Sequence, residues 1–145
     1  MQINGEWLLC DDNIIRPVIR GHILDGHGAW IHAPFLVDTG ADRTVFSAPV
    51  LVALSFQPTL SPERLGGVGG IVTPVVIETQ MRFRHEAGRG TVVFRGQFAA
   101  VTEREALDMS VLGRDITGLF ALIIDQPGNV VCLLGQRHRY AIEQE

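Results

Sequence analysis

The stretch Phe35-Leu36-Val37-Asp38-Thr39-Gly40-Ala41-Asp42-Arg43-Thr44-Val45-Phe46-Ser47 decides the fold. An apolar strand pattern runs straight into a carboxylate. The middle of a buried strand rejects an unpaired charge, because desolvating it is expensive. At the strand's end the same carboxylate can sit beside low-dielectric walls and still reach water. Thr39 adds a hydroxyl that both donates and accepts, and Gly40 lets a second backbone come close. Asp, Thr and Gly are also ordinary turn residues, so the tripeptide by itself is equally a strand exit. Two further segments bear on the choice. Residues 65–72 read Leu-Gly-Gly-Val-Gly-Gly-Ile-Val, and residues 109–116 read Met-Ser-Val-Leu-Gly-Arg-Asp-Ile.

Outward from this stretch the chain reads as mainly β. Ile14 to Leu24 and Ala29 to Val37 are strands joined by the turn residues Asp25-Gly26-His27-Gly28. Ser47 and Pro49 open a short helix through Leu54. Val72 to Phe83 and Thr91 to Val101 are strands, with a glycine-rich loop before the first. Val111-Leu112 is a short buried strand, followed by one or two helical turns over Arg114 to Leu119. Phe120 to Asp125 and Val130 to Leu134 flank Gln126-Pro127-Gly128-Asn129, a second hairpin. Short strands at regular spacing, without long helical periods, favour a small barrel or sandwich.

The 145 residues make one domain, 1–145, and carry a formal net charge of −4 with 46% hydrophobic residues. All twelve basic residues are Arg. The acidic balance argues against a general nucleic-acid or anionic-membrane binder. No apolar run reaches the roughly 20 residues of a membrane span, and no signal peptide is visible. Cys10 and Cys132 are too few for a disulfide scaffold or a zinc site, and read as buried thiols. A reducing, cytoplasmic location is the expectation if this is the whole protein, and is left open if it was cut from an anchored or polyprotein precursor. His22, His27 and His32 recur every five residues, which keeps no single face of a helix or strand. No metal and no cofactor are expected.

Asp38-Thr39-Gly40-Ala41, the glycine-rich 65–72 segment and Val111-Leu112-Gly113-Arg114, in that order, resemble a retropepsin, the retroviral-type aspartic protease. Arg16-Pro17 resembles that family's N-terminal segment. The similarity covers about residues 14–120, and the hairpin at 120–134 runs past the family core. The resemblance implies an all-β fold: a small closed barrel with one or two short helices. It also implies a homodimeric endopeptidase acting on peptide or protein. Acid–base peptide hydrolysis needs one ionised and one protonated carboxylate, and only one Asp-Thr-Gly is present. Asp38 from each of two subunits would therefore form the dyad, with Thr39 and Gly40 as its supports. The substrate-binding residues implied are Ala41, Asp42, Arg43, Gly66, Gly67, Val68, Met109 and Val111, with Val45 as a further apolar candidate. The glycines would form a flap closing over the peptide, Val68 at its tip. Asp42 and Arg114 would make a partly buried ion pair, and Arg16 would reach Asp42 of the other subunit. Arg43 would favour acidic or polar substrate side chains. Ala41 stands where a hydroxyl could donate to the carboxylate, so a mildly acidic optimum, about pH 5 to 6.5, is expected.

Two other function classes stay open at this level. One is a dimeric module of the same fold that binds peptide without turnover. The other is a monomeric β scaffold. The apolar segments at the chain's extremes, Trp7 to Cys10 and Phe120 to Leu134 with Arg139 to Ile142 beyond, are expected to build much of a dimer interface. The rival expectation is that the hairpin only caps its own subunit.

Overall fold

In the computed structural model, residues 1–56, 59–60, 65–67, 70–72, 74–85 and 89–135 are described. The strands are β1 (Gln2–Asn4), β2 (Glu6–Leu9), β3 (Ile15–Leu24), β4 (Trp30–Val37), β5 (Val45–Phe46), β6 (Thr59–Leu60), β7 (Leu65–Gly67), β8 (Gly70–Val72), β9 (Val75–His85), β10 (Gly90–Ala100), β11 (Ser110–Leu112), β12 (Ala121–Asp125) and β13 (Val130–Leu134). Two short helices, α1 (Ala48–Leu54) and α2 (Arg114–Thr117), follow β5 and β11. The main sheet runs β2-β3-β4-β11-β5-β10-β9-β6, and a further pairing of β3 with β9 closes six of these strands into a barrel. The all-β barrel with two short helices is the architecture expected of a retropepsin.

Local chemistry builds the first hairpin. Asp25 Oδ1 accepts from the backbone N–H groups of His27 and Ala29, both at 2.8 Å, which turns β3 back into β4. These bonds, the Ala29 N–H foremost, hold the Asp25 carboxyl below its usual range. In the resulting register His22 faces His32, with ring centroids 5.5 Å apart. The five-residue sequence spacing hid that contact, because the hairpin and not a single strand brings the rings together. Burial, with the neighbouring Arg82, pushes His22 below its usual value. Among the described residues no three His, Cys, Asp or Glu side chains are grouped as a metal site would need.

The core is threaded by aromatic rings. Phe98, Phe46, Phe35, Phe83, Phe94 and Phe120 follow one another at centroid distances of 5.6, 6.2, 5.7, 6.1 and 6.1 Å. Each such pair contributes about 0.5–1.5 kcal/mol beyond its buried area. The thread starts on β10 and ends where β12 begins, so the C-terminal hairpin packs on the same core as the barrel. Ile3, Val131 and Leu133 join that core.

The hairpin over 121–134 forms, and β13 pairs with β1 of its own chain in a three-stranded sheet β1-β13-β12. Trp7 Nε1 donates to the carbonyls of Asp125 and Val130 at 3.1 and 3.3 Å, clamping the hairpin's turn end. The N-terminal strand is therefore engaged within one subunit, which sequence reading, seeing only Trp7 to Cys10, did not anticipate. Residues 139–142 lie outside the described residues. The glycine-rich 65–71 stretch, expected as a loop, contains a paired hairpin in which Leu65 faces Val72 and Gly67 faces Gly70. Among the described residues no helix is long and apolar enough to cross a membrane.

Gly21 lies where β3 crosses Phe83: a Cβ there would stand 2.5 Å from the ring's Cε1. Phe83 is fully buried between Phe35 and Phe94, so the ring cannot retreat. Gly21→Ala is expected to lower stability by about 1–3 kcal/mol. Gly96→Ala, with nothing within 4 Å of its Cβ, is expected to leave stability unchanged or slightly raised. Thermal unfolding of the two variants checks this, and equal effects would contradict the close packing at Gly21.

Candidate active site

The barrel's topology brings the motif of residues 38–44 against the segment after β11. That motif is the connection from β4 to β5, and β11 lies between those two strands, parallel to β4 and antiparallel to β5. The chain leaving β11 must cross the connection. At the crossing Gly113 rests on the backbone of Arg43, where a Cβ would collide with the Arg43 carbonyl carbon and nitrogen.

Hydrogen bonds fix the crossing from both sides. Asp38 N–H donates to Leu112 O at 3.2 Å, Arg114 N–H to Ala41 O at 2.8 Å and Asp115 N–H to Asp42 O at 3.2 Å. Thr44 is fully buried. Its hydroxyl accepts from Gly113 N–H at 3.2 Å and donates to Asp115 Oδ1 at 2.8 Å. Asp115 Oδ1 also accepts the N–H groups of Thr44 at 2.9 Å and Ile116 at 3.0 Å. The buried Thr44 hydroxyl is thus fully used, which is what makes its burial tolerable, and one oxygen of the exposed Asp115 carboxylate takes three donors. Neither Thr44 nor Asp115 was singled out from sequence. Both stand inside the quoted motifs, two residues past Asp42 and one past Arg114, but only the crossing reveals their partnership.

Asp38 is half-buried at the end of β4, with Thr39 and Gly40 exposed beside it. Its Oδ1 accepts from Gly40 N–H at 2.9 Å, and Ala41 N–H donates to its carbonyl at 3.2 Å. Among the described residues its Oδ2 accepts nothing. Arg114 donates from Nη1 to Thr39 O at 3.0 Å and from Nη2 to Asp42 Oδ1, so one guanidinium holds two points of the loop. The expected ion pair is formed, but in the single chain it is not partly buried: the side chains are 55% and 80% exposed. Among the described residues little covers the pair.

A cavity of about 680 Å³ opens over the paired strands that lead to the Asp38 end, and Asp38 itself does not line it. Its apolar wall is Leu8, Leu36, Leu107, Met109 and Val111, and Leu36 and Val111 flank the strand end that carries Asp38. Met109 and Val111 line it together, whereas Val45 packs behind it with Ala99 and Val101. Asp11, Asp12, Asp108 and Arg16 stand at its polar edge. Arg16 is bound within its own chain to Asp12 by two bonds, at 2.8 and 2.6 Å. That guanidinium draws the Asp12 carboxyl down to about 2. Because the folded value lies below the unfolded one, the pair is intact above about pH 4 and is lost only as the pH falls through about 2. Ala41, Asp42 and Arg43 do not line the cavity, so Arg43 gives no reason to expect acidic substrate groups there. Gly66 and Gly67 lie on β7, opposite Ile71 and Gly70. Val68 lies outside the described residues.

Comparison with known proteins follows this geometry. A family model described as aspartyl protease matches residues 24–116. A search of curated proteins finds no match. Among solved structures, EIAV protease complexed with the inhibitor HBY-793 matches with a TM-score of 0.51 and 25% identity, over 71% of this chain and 86% of that one. The family match includes Asp38, its loop and the crossing segment up to Ile116, and on that ground the chain belongs to the aspartyl protease family, with a retropepsin-like fold.

Proposed function

We propose that this chain is an aspartic endopeptidase that works as a homodimer, each subunit supplying one Asp38. The observation that carries the proposal is the half-buried Asp38 at the strand end, on a loop held at both sides, with one carboxylate oxygen uncommitted among the described residues. Two such carboxylates facing each other across a two-fold axis share a proton. The ionised one takes a proton from water as that water attacks the peptide carbonyl, and the protonated one donates to the carbonyl oxygen. Close carboxylates sharing one proton are a general pattern for this chemistry, and such a pair titrates as a unit. Thr39 would support the dyad across the axis. The β7–β8 hairpin, glycine-rich at residues 66–70, would close over the peptide with Val68 at its tip and hydrogen-bond its backbone.

Thr44, Asp115 and Arg114 act as positioning residues. They touch neither water nor peptide in this scheme, but they set where Asp38 stands, and misplacement of about 1 Å costs on the order of 10²-fold in rate. The cavity supports a proposal for the substrate class. Its apolar wall suits a bulky apolar side chain next to the scissile bond. Arg16 neutralises Asp12, while Asp11 and Asp108 have no ion-pair partner among the described residues. The edge is therefore net acidic and favours a basic residue flanking the apolar one.

Three outcomes are expected. Asp38→Asn removes cleavage by at least about 10²-fold at pH 5 to 6.5 and leaves fold and mass unchanged. Retained cleavage would overturn the aspartic mechanism, and peptide binding without cleavage by the wild-type chain would make it a binding module. Arg114→Lys keeps the charge but cannot reach Thr39 O and Asp42 together. It is expected to lower kcat by about 10²-fold with KM little changed, measured on one peptide. In a peptide library, cleavage is expected beside bulky apolar residues with Arg or Lys nearby. Asp108→Lys should reduce kcat/KM for those basic peptides about tenfold, close to 1.4 kcal/mol, while neutral peptides are cut as before. Equal loss on both sets would remove Asp108 from specificity.

A further inference from the structure

The chain carries a net charge of −4, yet its cations are not spread evenly. The outer face of the strands β4-β3-β9-β10 gathers them. The register sets His32 opposite His22, His22 opposite Arg82 and Arg82 opposite Val93, one row across four strands. Burial alternates along β9, so that Met81 and Phe83 point into the core while Arg82 and Arg84 point out. By the same alternation Arg95 stands on the outer side of β10, and Arg89 is exposed just before that strand. Among the described residues, Arg82, Arg84, Arg89 and Arg95 make no ion pair. Acidic groups on this face are few. Glu6 is held by Arg20 at 2.7 Å, and Glu78 lies toward the start of β9, opposite Gln97. The Arg82 guanidinium lies 4.2 Å from the centre of the Trp30 ring, which fixes a long side chain before any ligand arrives. The positive field is felt at His22. Burial first, then Arg82, His32 and Arg84, holds its imidazole below the usual value.

We propose that this face binds single-stranded nucleic acid. The guanidinium forks take backbone phosphates, two hydrogen bonds at a time. The rings of His22, His32 and Trp30, with the Arg82 plane beside them, give unpaired bases surfaces to stack on. The mixture of the two kinds of group selects the partner. An acidic polypeptide would use the Arg side chains and leave the rings without a role. A membrane surface would need apolar side chains to enter it, and among the described residues Val93, 40% exposed, is the one large apolar side chain exposed on this face. A duplex keeps the faces of its bases inside its own stack. The acidic balance of the whole chain still argues against a general affinity for polyanions; the binding is confined to this face. None of these side chains lines the cavity beside the Asp38 strand, so the inference stands apart from the peptidase reading.

The test uses the full chain, without peptide, and reads the fluorescence anisotropy of a labelled oligo-dT strand of 20 nucleotides. With four phosphate contacts, the slope of log K against log salt is expected to be about −2.8, roughly a 50-fold loss between 50 and 200 mM. Arg84→Ala and Arg95→Ala are each expected to lower that slope by about 0.7, and the two together to weaken binding at 50 mM by about tenfold or more. Arg104→Ala, in the segment between β10 and β11 with Glu103 and Glu105 on either side, is expected to bind as the wild type does. His32→Ala is expected to weaken oligo-dT binding and to leave binding of an abasic strand of the same length unchanged. Absence of binding at 50 mM salt, an equal loss in Arg104→Ala, or an equal loss on the two strands in His32→Ala would overturn the inference. So would a duplex or a poly-Glu peptide of matched length that binds as tightly as the single strand. If the double variant is unfolded by circular dichroism, the wild-type chain is crosslinked by light to a strand carrying 4-thiothymidine. Adducts on β3, β4, β9 or β10 support the proposal, and adducts confined to other segments overturn it. Cleavage and binding fail separately: a chain that binds the strand and cuts no peptide upholds this face, and an active peptidase that binds no strand overturns this face alone.

Discussion

A buried threonine hydroxyl joins two parts of the chain 69 residues apart. Thr44 Oγ1 takes the Gly113 N–H and gives its proton to Asp115, and around that pair three backbone bonds lock the 38–44 connection to the start of α2. Everything chemical in the molecule hangs on this crossing. Without it Asp38 would sit on a free surface loop, and its carboxylate could take many positions. With it, the carboxylate is placed by the barrel itself, because β11 is wedged between the two strands that the connection joins. A short polar contact is sufficient for this only because it is buried: inside the protein a satisfied hydrogen bond is strengthened, and an unsatisfied one costs about 1–3 kcal/mol.

The elements that were legible in the sequence are those whose cause is local. Asp25 makes its own turn, and the strands on either side follow. Gln126 to Asn129 does the same for β12 and β13. Asp38-Thr39-Gly40 was legible because strand chemistry forbids a carboxylate until the strand ends. What escaped depends on contacts remote in sequence. β1 has only Ile3 as an inward residue and is a strand because β13 is there to receive it. β5 is two residues long and exists because β11 and β10 flank it. His22 and His32 meet because of register, and Thr44 and Asp115 because of the crossing. No single-residue property marks any of these.

The charge on Arg114 illustrates how far a resemblance carries. Sequence comparison implied its pairing with Asp42, and the pair is present, but it was expected to be partly buried and in one chain it is open to water. Exposed pairs of this kind contribute little to stability, because each partner is already well solvated. Its contribution is geometric: the same guanidinium reaches the Thr39 carbonyl, and a planar fork can serve two acceptors where a point charge serves one. Arg16 departs further. It is satisfied by Asp12 in its own subunit, at the cavity's edge, so its reach toward another chain would require giving up two strong bonds.

The proposed homodimer places demands on a second subunit that follow from the first. A lone half-buried carboxylate can accept or donate a proton but cannot do both at one carbonyl, so the proposed chemistry would require a two-fold axis close to Asp38. The axis must be held to a fraction of an ångström, and a loop of exposed Thr39 and Gly40 offers too little area for that when stable interfaces bury about 1,200 Å² or more. Rigidity has to come from an element packed on the core and connected to the loop. Strand β12 begins after Phe120, the last ring of the aromatic thread, which includes Phe35 and Phe46 on the loop's own strands, and its backbone runs from the helix that pins Thr39. A shift of β12 would therefore be carried along α2 to Arg114 and Asp115, whose hydrogen bonds to Thr39 and Thr44 set where the loop stands.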